Sequence, residues 1–111
     1  MKSNRARLIE LCEDFLGGRK GVIETSREMM RWRHSIGPEN DPDFIIFVAI
    51  ESETDHLPVG SVRSYWSEKA LLEKDREIRR METFYRGYAE AAAKNLIEKH
   101  KHILDAESEE T

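Results

Sequence analysis

Seven apolar residues run without a break from Phe44 to Ile50, FIIFVAI, and lead directly into Glu51, Glu53, Asp55 and His56. No solvent-facing helix has that pattern, so the segment reads as the central element of the fold. Its length and β-branching fit a buried strand, but its flanks fit a helix. Asp41 supplies an N-cap, Pro42 suits the first helical position, and Asp43 complements the helix dipole. A lone strand would leave its backbone hydrogen bonds unmade, and no other stretch reads as a partner strand. The segment is therefore read as a helix, buried on all sides and ended by Leu57 and Pro58.

Before it, the apolar positions follow a helical period. Leu8, Ile9, Leu11, Cys12, Phe15 and Leu16 form one stripe of a helix over residues 3–16, stopped by Gly17 and Gly18. A second helix, over 22–36, lines up Val22, Ser26, Met29, Arg33 and Ile36, with Gly37 and Pro38 as its stop. After Pro58 a short helix is expected through Trp66, and Ser67 is placed as the N-cap of a last helix over 68–104. That helix would be about 55 Å long, with Gly87 as its only breaker. Such a length exceeds a compact domain, so the helix overhangs, bends near Gly87 or packs on a second copy. Leu71, Ile78, Tyr85, Ala92 and Ile103, flanked by Met81, Tyr88, Ala89 and Leu96, make a heptad-like seam suited to helical hairpins and dimers alike.

The fold class expected is all-α: a small bundle of four to five helices with a long C-terminal helix, one domain over residues 1–104 and an acidic, frayed tail over 105–111. A homodimer is expected from the seam. The 111 residues suffice for one self-sufficient core. A single cysteine gives no disulfide framework, no apolar run is long enough to span a bilayer, and the first residues lack a signal-peptide core. Together these point to a cytoplasmic chain with no membrane partner.

Charge is unevenly spread. Residues 38–66 carry six acidic side chains against one basic, while the segments on either side are nearly balanced. Arg27, Arg31 and Arg33 beside Trp32 are the nearest approach to a basic stripe, and a solvated helix face explains them better than nucleic-acid binding. The acidic island, Glu39, Asp41, Asp43, Glu51, Glu53 and Asp55, reads as a surface for docking a basic protein partner, as small acidic immunity proteins and inhibitors do. The chain is thus expected to be a non-enzymatic protein-binding module.

The alternative is a carboxylate-lined bundle binding a metal ion or small ligand, possibly as an enzyme. Asp75 and Glu82 interrupt the seam of the last helix seven residues apart, and buried carboxylates require partners. Glu24, Arg27, Arg31, Glu51, Asp55, His56, Arg63, Asp75 and Glu82 are therefore grouped as a buried polar network or ligand pocket. Glu53 and His56 make one ExxH motif, but a di-metal bundle needs a second, and His100 and His102 point to nearly opposite sides of a helix. No metal site, cofactor or catalytic residue is assigned. Cys12 sits on an apolar stripe as a core residue. The loop GGRKG has the charge for an anion but not the spacing of a P-loop, and reads as a helix stop and start. Trp32, Trp66, Phe84 and Tyr85 are read as core or interface residues.

The order FxxFVAI, SETDHLPVG, VRSYW and KDREIRRMETFYR resembles short bacterial helical proteins known only as domains of unknown function. The likeness spans roughly residues 15 to 97. It implies a bacterial cytosolic helical fold and no established activity, and carries over no functional residues.

Overall fold

A computed structural model describes residues 3–32 and 41–109. Among them are four α-helices, α1 (Asn4–Leu16), α2 (Val22–Met30), α3 (Pro42–Thr54) and α4 (Glu68–Glu109), with a 3₁₀ helix at Gly60–Tyr65. The architecture is a small all-α bundle with a long C-terminal helix. α1 and α3 lie along α4, and α2 packs mainly on α3 while also touching α1 and α4.

Local chemistry sets most of the boundaries. Ser3 caps α1, its Oγ accepting from the Ala6 N–H at 3.1 Å. At the other end Gly18 takes φ +81°, which lets its N–H reach the Phe15 carbonyl and the Arg19 N–H reach that of Asp14. That left-handed step is the glycine-dependent stop read from the sequence. Asp41 caps α3 through the N–H groups of Asp43 and Phe44, with Pro42 in the first turn. Ser67 Oγ accepts from the Ala70 N–H at 3.1 Å and starts α4.

The core joins Leu8, Leu11, Cys12 and Phe15 of α1, Val22 and Met29 of α2, Phe44, Phe47 and Ile50 of α3, and Tyr85, Ala89, Ala92, Ala93 and Leu96 of α4. Three alanines on α4 keep its inner face thin, so that two helices can approach it closely. Ile23, Leu57 and Ile78 form a smaller satellite cluster.

Several boundaries and faces differ from the sequence reading. α2 ends at Met30, six residues before the expected stop at Ile36, and Arg31 and Trp32 form a turn. Gly37, Pro38 and the rest of 33–40, including Arg33, His34 and Glu39, lie outside the described residues. α3 is a helix, but it is not buried on every side: Ile45 is 46% exposed, and Ala49 one turn later is exposed too. Three neighbouring helices cover only part of its circumference. The short helix expected from Pro58 through Trp66 is a 3₁₀ helix that starts two residues later, at Gly60, φ +72°.

α4 passes through Gly87 without a break and continues to Glu109, so residues 105–109 of the tail expected to fray are helical, while 110–111 lie outside the described residues. Once a helix is nucleated, each further residue adds a hydrogen bond for the fixing of one more residue. Arg5 gives this end a tether, with Nε 3.8 Å from the Glu107 carboxylate. A straight helix of its 42 residues would be about 63 Å long, more than the 55 Å longest dimension of the molecule.

Arg5 also makes the deepest polar contact between the chain ends. Its guanidinium donates to His100 Nδ1 at 2.9 Å, so that ring nitrogen accepts and the proton sits on Nε2, which is buried with no hydrogen-bond partner among the described residues. His100 lies on the inner stripe of α4, one turn beyond Leu96. Burial, with Arg5 and Lys99 adding to it against the opposing pull of Asp41, pushes its pKa below the ordinary 6.5. The folded state then binds fewer protons than the unfolded state as the pH falls through 6.5, so acidification destabilises the protein. Thermal melts should show Tm falling from pH 7 downward through this range. His100→Gln, whose amide oxygen can still accept from Arg5, should lose this part of the fall.

Candidate functional site

The six carboxylates of the acidic island do not form one end of the molecule. Asp41 and Asp43 stand at the start of α3, and Glu51, Glu53 and Asp55 at its finish. A helix of 13 residues separates its two ends by about 20 Å. Glu39 lies outside the described residues. The first pair is engaged within the fold: Lys99 of α4 reaches Asp41 at 2.5 Å and Asp43 at 3.4 Å, and Asn95 donates to Asp43 at 3.1 Å. Burial works to raise the Asp41 pKa, but Lys99 and the Asp43 and Phe44 N–H groups hold it below its ordinary value. These two acids fasten α3 to α4.

The second group faces outward. Asp55 and Glu53 are exposed and Glu51 is half-buried. Glu53 accepts a hydrogen bond from the Tyr85 hydroxyl. Burial of Tyr85, then this carboxylate, pushes the phenol up to about 12. Among the described residues Glu51 has no hydrogen-bond or ion-pair partner, and Asp55 meets only its neighbour His56, at 3.9 Å.

The grouped polar network resolves into separate local contacts. Arg63 grips Asp75 with two parallel hydrogen bonds of 2.7 and 2.9 Å, the fork geometry that suits guanidinium and carboxylate. Arg63 holds the Asp75 carboxyl below its ordinary pKa. Arg63 also donates to the Pro58 carbonyl, fixing the 3₁₀ segment against α4. Arg27, expected to pair with a carboxylate, instead gives Nη2 to the carbonyls of Thr54 and Leu57 at 2.5 and 2.6 Å. The end of α3 leaves carbonyls without intrahelical partners, and these sit where the guanidinium can reach them.

Glu82 has its Oε2 3.0 Å from the position a Cβ on Gly21 would occupy, beside the start of α2. The chain's own carboxylate therefore stands at the helix N-terminus considered for an anion, and favours that dipole end. The two cations of the same loop are also engaged, Arg19 with Asp14 at 2.8 Å and Lys20 with Glu28. Glu24 and Arg31 are exposed and have no partner among the described residues.

The ExxH motif does not converge on a point: Glu53 turns to Tyr85, and His56 Nε2 meets Glu77 at 2.7 Å. Among the described residues, no three His, Cys, Asp or Glu side chains are grouped as metal ligands. Cys12 is fully buried, and burial with the neighbouring Glu13 pushes its thiol up to about 12, far from a thiolate nucleophile.

Sequence reasoning missed the partners Tyr85, Glu77, Lys99 and His100. Only His100 carried a local signal, since its spacing from Ala89, Ala93 and Leu96 puts it on the buried stripe. The others depend on how α3 lies across α4.

Fold and surface together define a helical bundle whose polar residues mostly pin one helix to the next and whose outward features are charge and aromatic rings. No protein-family model, curated protein or solved structure matches the chain. No described helix is long and apolar enough to cross a membrane.

Proposed function

We propose that this chain is a non-enzymatic protein-binding module that docks a basic protein, in the manner of a small acidic immunity or inhibitor protein. The docking surface is the C-terminal end of α3 with Glu51, Glu53 and Asp55; Asp41 and Asp43 are not part of it, because both are already paired with Lys99 within the fold.

The observation that carries this reading is electrostatic. Three carboxylates cluster within the last turn and cap of α3, where the helix dipole is negative, and no basic residue lies in that last turn. Glu51 and Asp55 are four apart, a like-charge spacing on a helix. Acids at a helix C-terminus are disfavoured by roughly 0.3–1 kcal/mol each. Arg27 offsets the carbonyls but bonds to none of the carboxylates. A basic partner would relieve this repulsion, and it would be steered to the site by the same field.

A chain immobilised through its C-terminus should retain a basic protein from cell extract at about 0.1 M salt and release it as screening increases. Glu51→Lys with Glu53→Lys should abolish capture. Retention that ignores both salt and charge reversal would exclude this surface as the docking site.

The homodimer expected from the sequence cannot use the α4 seam intact. Ile78, Tyr85, Ala89, Ala92 and Leu96 are buried against α1, α2 and α3 of the same chain, whereas Tyr88 is turned to solvent.

A further inference from the structure

The face of α4 directed away from the bundle carries two large exposed rings, Phe84 at 64% and Tyr88 at 59%. Their centroids lie 6.2 Å apart, so they form one patch rather than two isolated side chains. Beside them on the same outer face are Gly87 and Ala91, one turn apart. A glycine in the interior of a helix is destabilising relative to alanine. Nothing among the described residues accounts for Gly87: apart from its own stretch of helix, no atom of them lies within 4 Å of where its Cβ would be. A second helix crossing at this point would use the space that Gly87 and Ala91 leave open.

The arginines of the same face are gathered at one end. Toward the N-terminal half stand Arg76, Arg79 and Arg80, around an open depression of about 980 Å³ that Glu73 and Phe84 also line. Asp75 and Glu77 act on Arg79 and Arg80 only through space, and none of the three arginines has an ion pair or hydrogen bond among the described residues. Toward the C-terminal half the exposed charges are mixed, Glu98 and Asp105 alternating with Lys94 and Lys101.

We infer that the outer face of α4 pairs antiparallel with α4 of a second copy, crossing at Gly87 and Ala91. Two copies in parallel would oppose the arginines to themselves, whereas the antiparallel arrangement brings Arg80 of each copy to Glu98 of the other. Arg80, Phe84, Gly87, Ala91, Lys94 and Glu98 follow one another at steps of three and four, the spacing of a helix–helix seam. With Gly87 against Ala91 of the second copy, the same register places Arg80 opposite Glu98 and Phe84 over the aliphatic stem of Lys94. Each of these contacts occurs twice across the two-fold axis. Glu73 opposite Asp105 is the like-charge pair of this register, and it falls near the ends, where water screens it.

This contact is independent of the basic-partner surface on α3. A single helix pair buries less than the roughly 800 Å² per partner of a standard interface, so a dissociation constant on the order of tens of micromolar is expected. Sedimentation equilibrium of the full chain up to about 0.5 mM should show a monomer–dimer equilibrium in that range. Phe84→Glu should leave a monomer with unchanged helical content and melting behaviour. Arg80→Glu and Glu98→Arg should each weaken dimerisation by about tenfold, and the double exchange should restore it. Glu51→Lys with Glu53→Lys should leave the dimer intact. A wild-type monomer throughout the concentration range would overturn the pairing. So would a dimer indifferent to Phe84→Glu, and failure of the double exchange to rescue would overturn the register.

Discussion

Truncating Phe47 to alanine is expected to remove about 3–5 kcal/mol of folding stability, the usual loss for a fully buried aromatic. Domains of this size hold on the order of 5–15 kcal/mol in total, so the variant should sit near the edge of folding. Phe47 has no exposed surface and meets Phe15 of α1 edge-to-face, with ring centroids 6.4 Å apart. It sits where α1, α3 and α4 share one core, and backbones held by three helices cannot collapse into the void. Urea denaturation should therefore show a large fall in midpoint with little change in slope. Ile45→Ala is the informative contrast. Both residues belong to the same apolar run, yet Ile45 is 46% exposed, and its truncation should cost about 1 kcal/mol or less. Equal losses at the two positions would mean that α3 is buried all round after all.

Arg27→Met is expected to cost about 1–3 kcal/mol, although it removes no ion pair. One guanidinium nitrogen serves two carbonyls, Thr54 at 2.5 Å and Leu57 at 2.6 Å, both on buried residues. The Thr54 carbonyl keeps the Leu57 N–H at 3.0 Å, so the substitution strips only the Leu57 carbonyl, and an acceptor left without its partner costs about 1–3 kcal/mol. Methionine fills similar space without supplying a donor, so most of the loss should be polar. Arg27→Lys should recover part of it, since an ammonium can reach one carbonyl or the other but lacks the planar fork. Denaturant midpoints for the two variants provide the check. A neutral Arg27→Met would show that water replaces the guanidinium at the end of α3.

The residue class of Arg27 was legible from the sequence and its partner was not. An arginine among helices with carboxylates nearby suggests an ion pair, because that is where the charges are. Backbone carbonyls at a helix end attract the same group, and only the approach of α2 to the end of α3 decides between them. Asp75 and Arg63 show the other outcome. Both residues were grouped from sequence, and the fold joins them because the 3₁₀ segment turns back along α4. Glu53 and His56 illustrate the limit of a motif: their spacing is right for shared ligation, yet each side chain finds a different residue of α4.

The sequence by itself determined where helices begin and which residues are apolar enough to bury. Caps at Ser3, Asp41 and Ser67 and the glycine stop after α1 act through bonds a few residues long, so local spacing contains them. The all-α class follows from the same signals. Only the tertiary structure decided which side of each helix is covered and which charges are neutralised. Helical periodicity identifies a stripe without saying how many neighbours surround it, and so Ile45 and Ala49 emerge in solvent from an unbroken apolar run. Likewise a carboxylate is the same in sequence whether Lys99 lies 2.5 Å away, as for Asp41, or no described cation binds it, as for Glu51. Coulomb energy depends on distances across the fold, and those distances exist only after α3 has docked on α4.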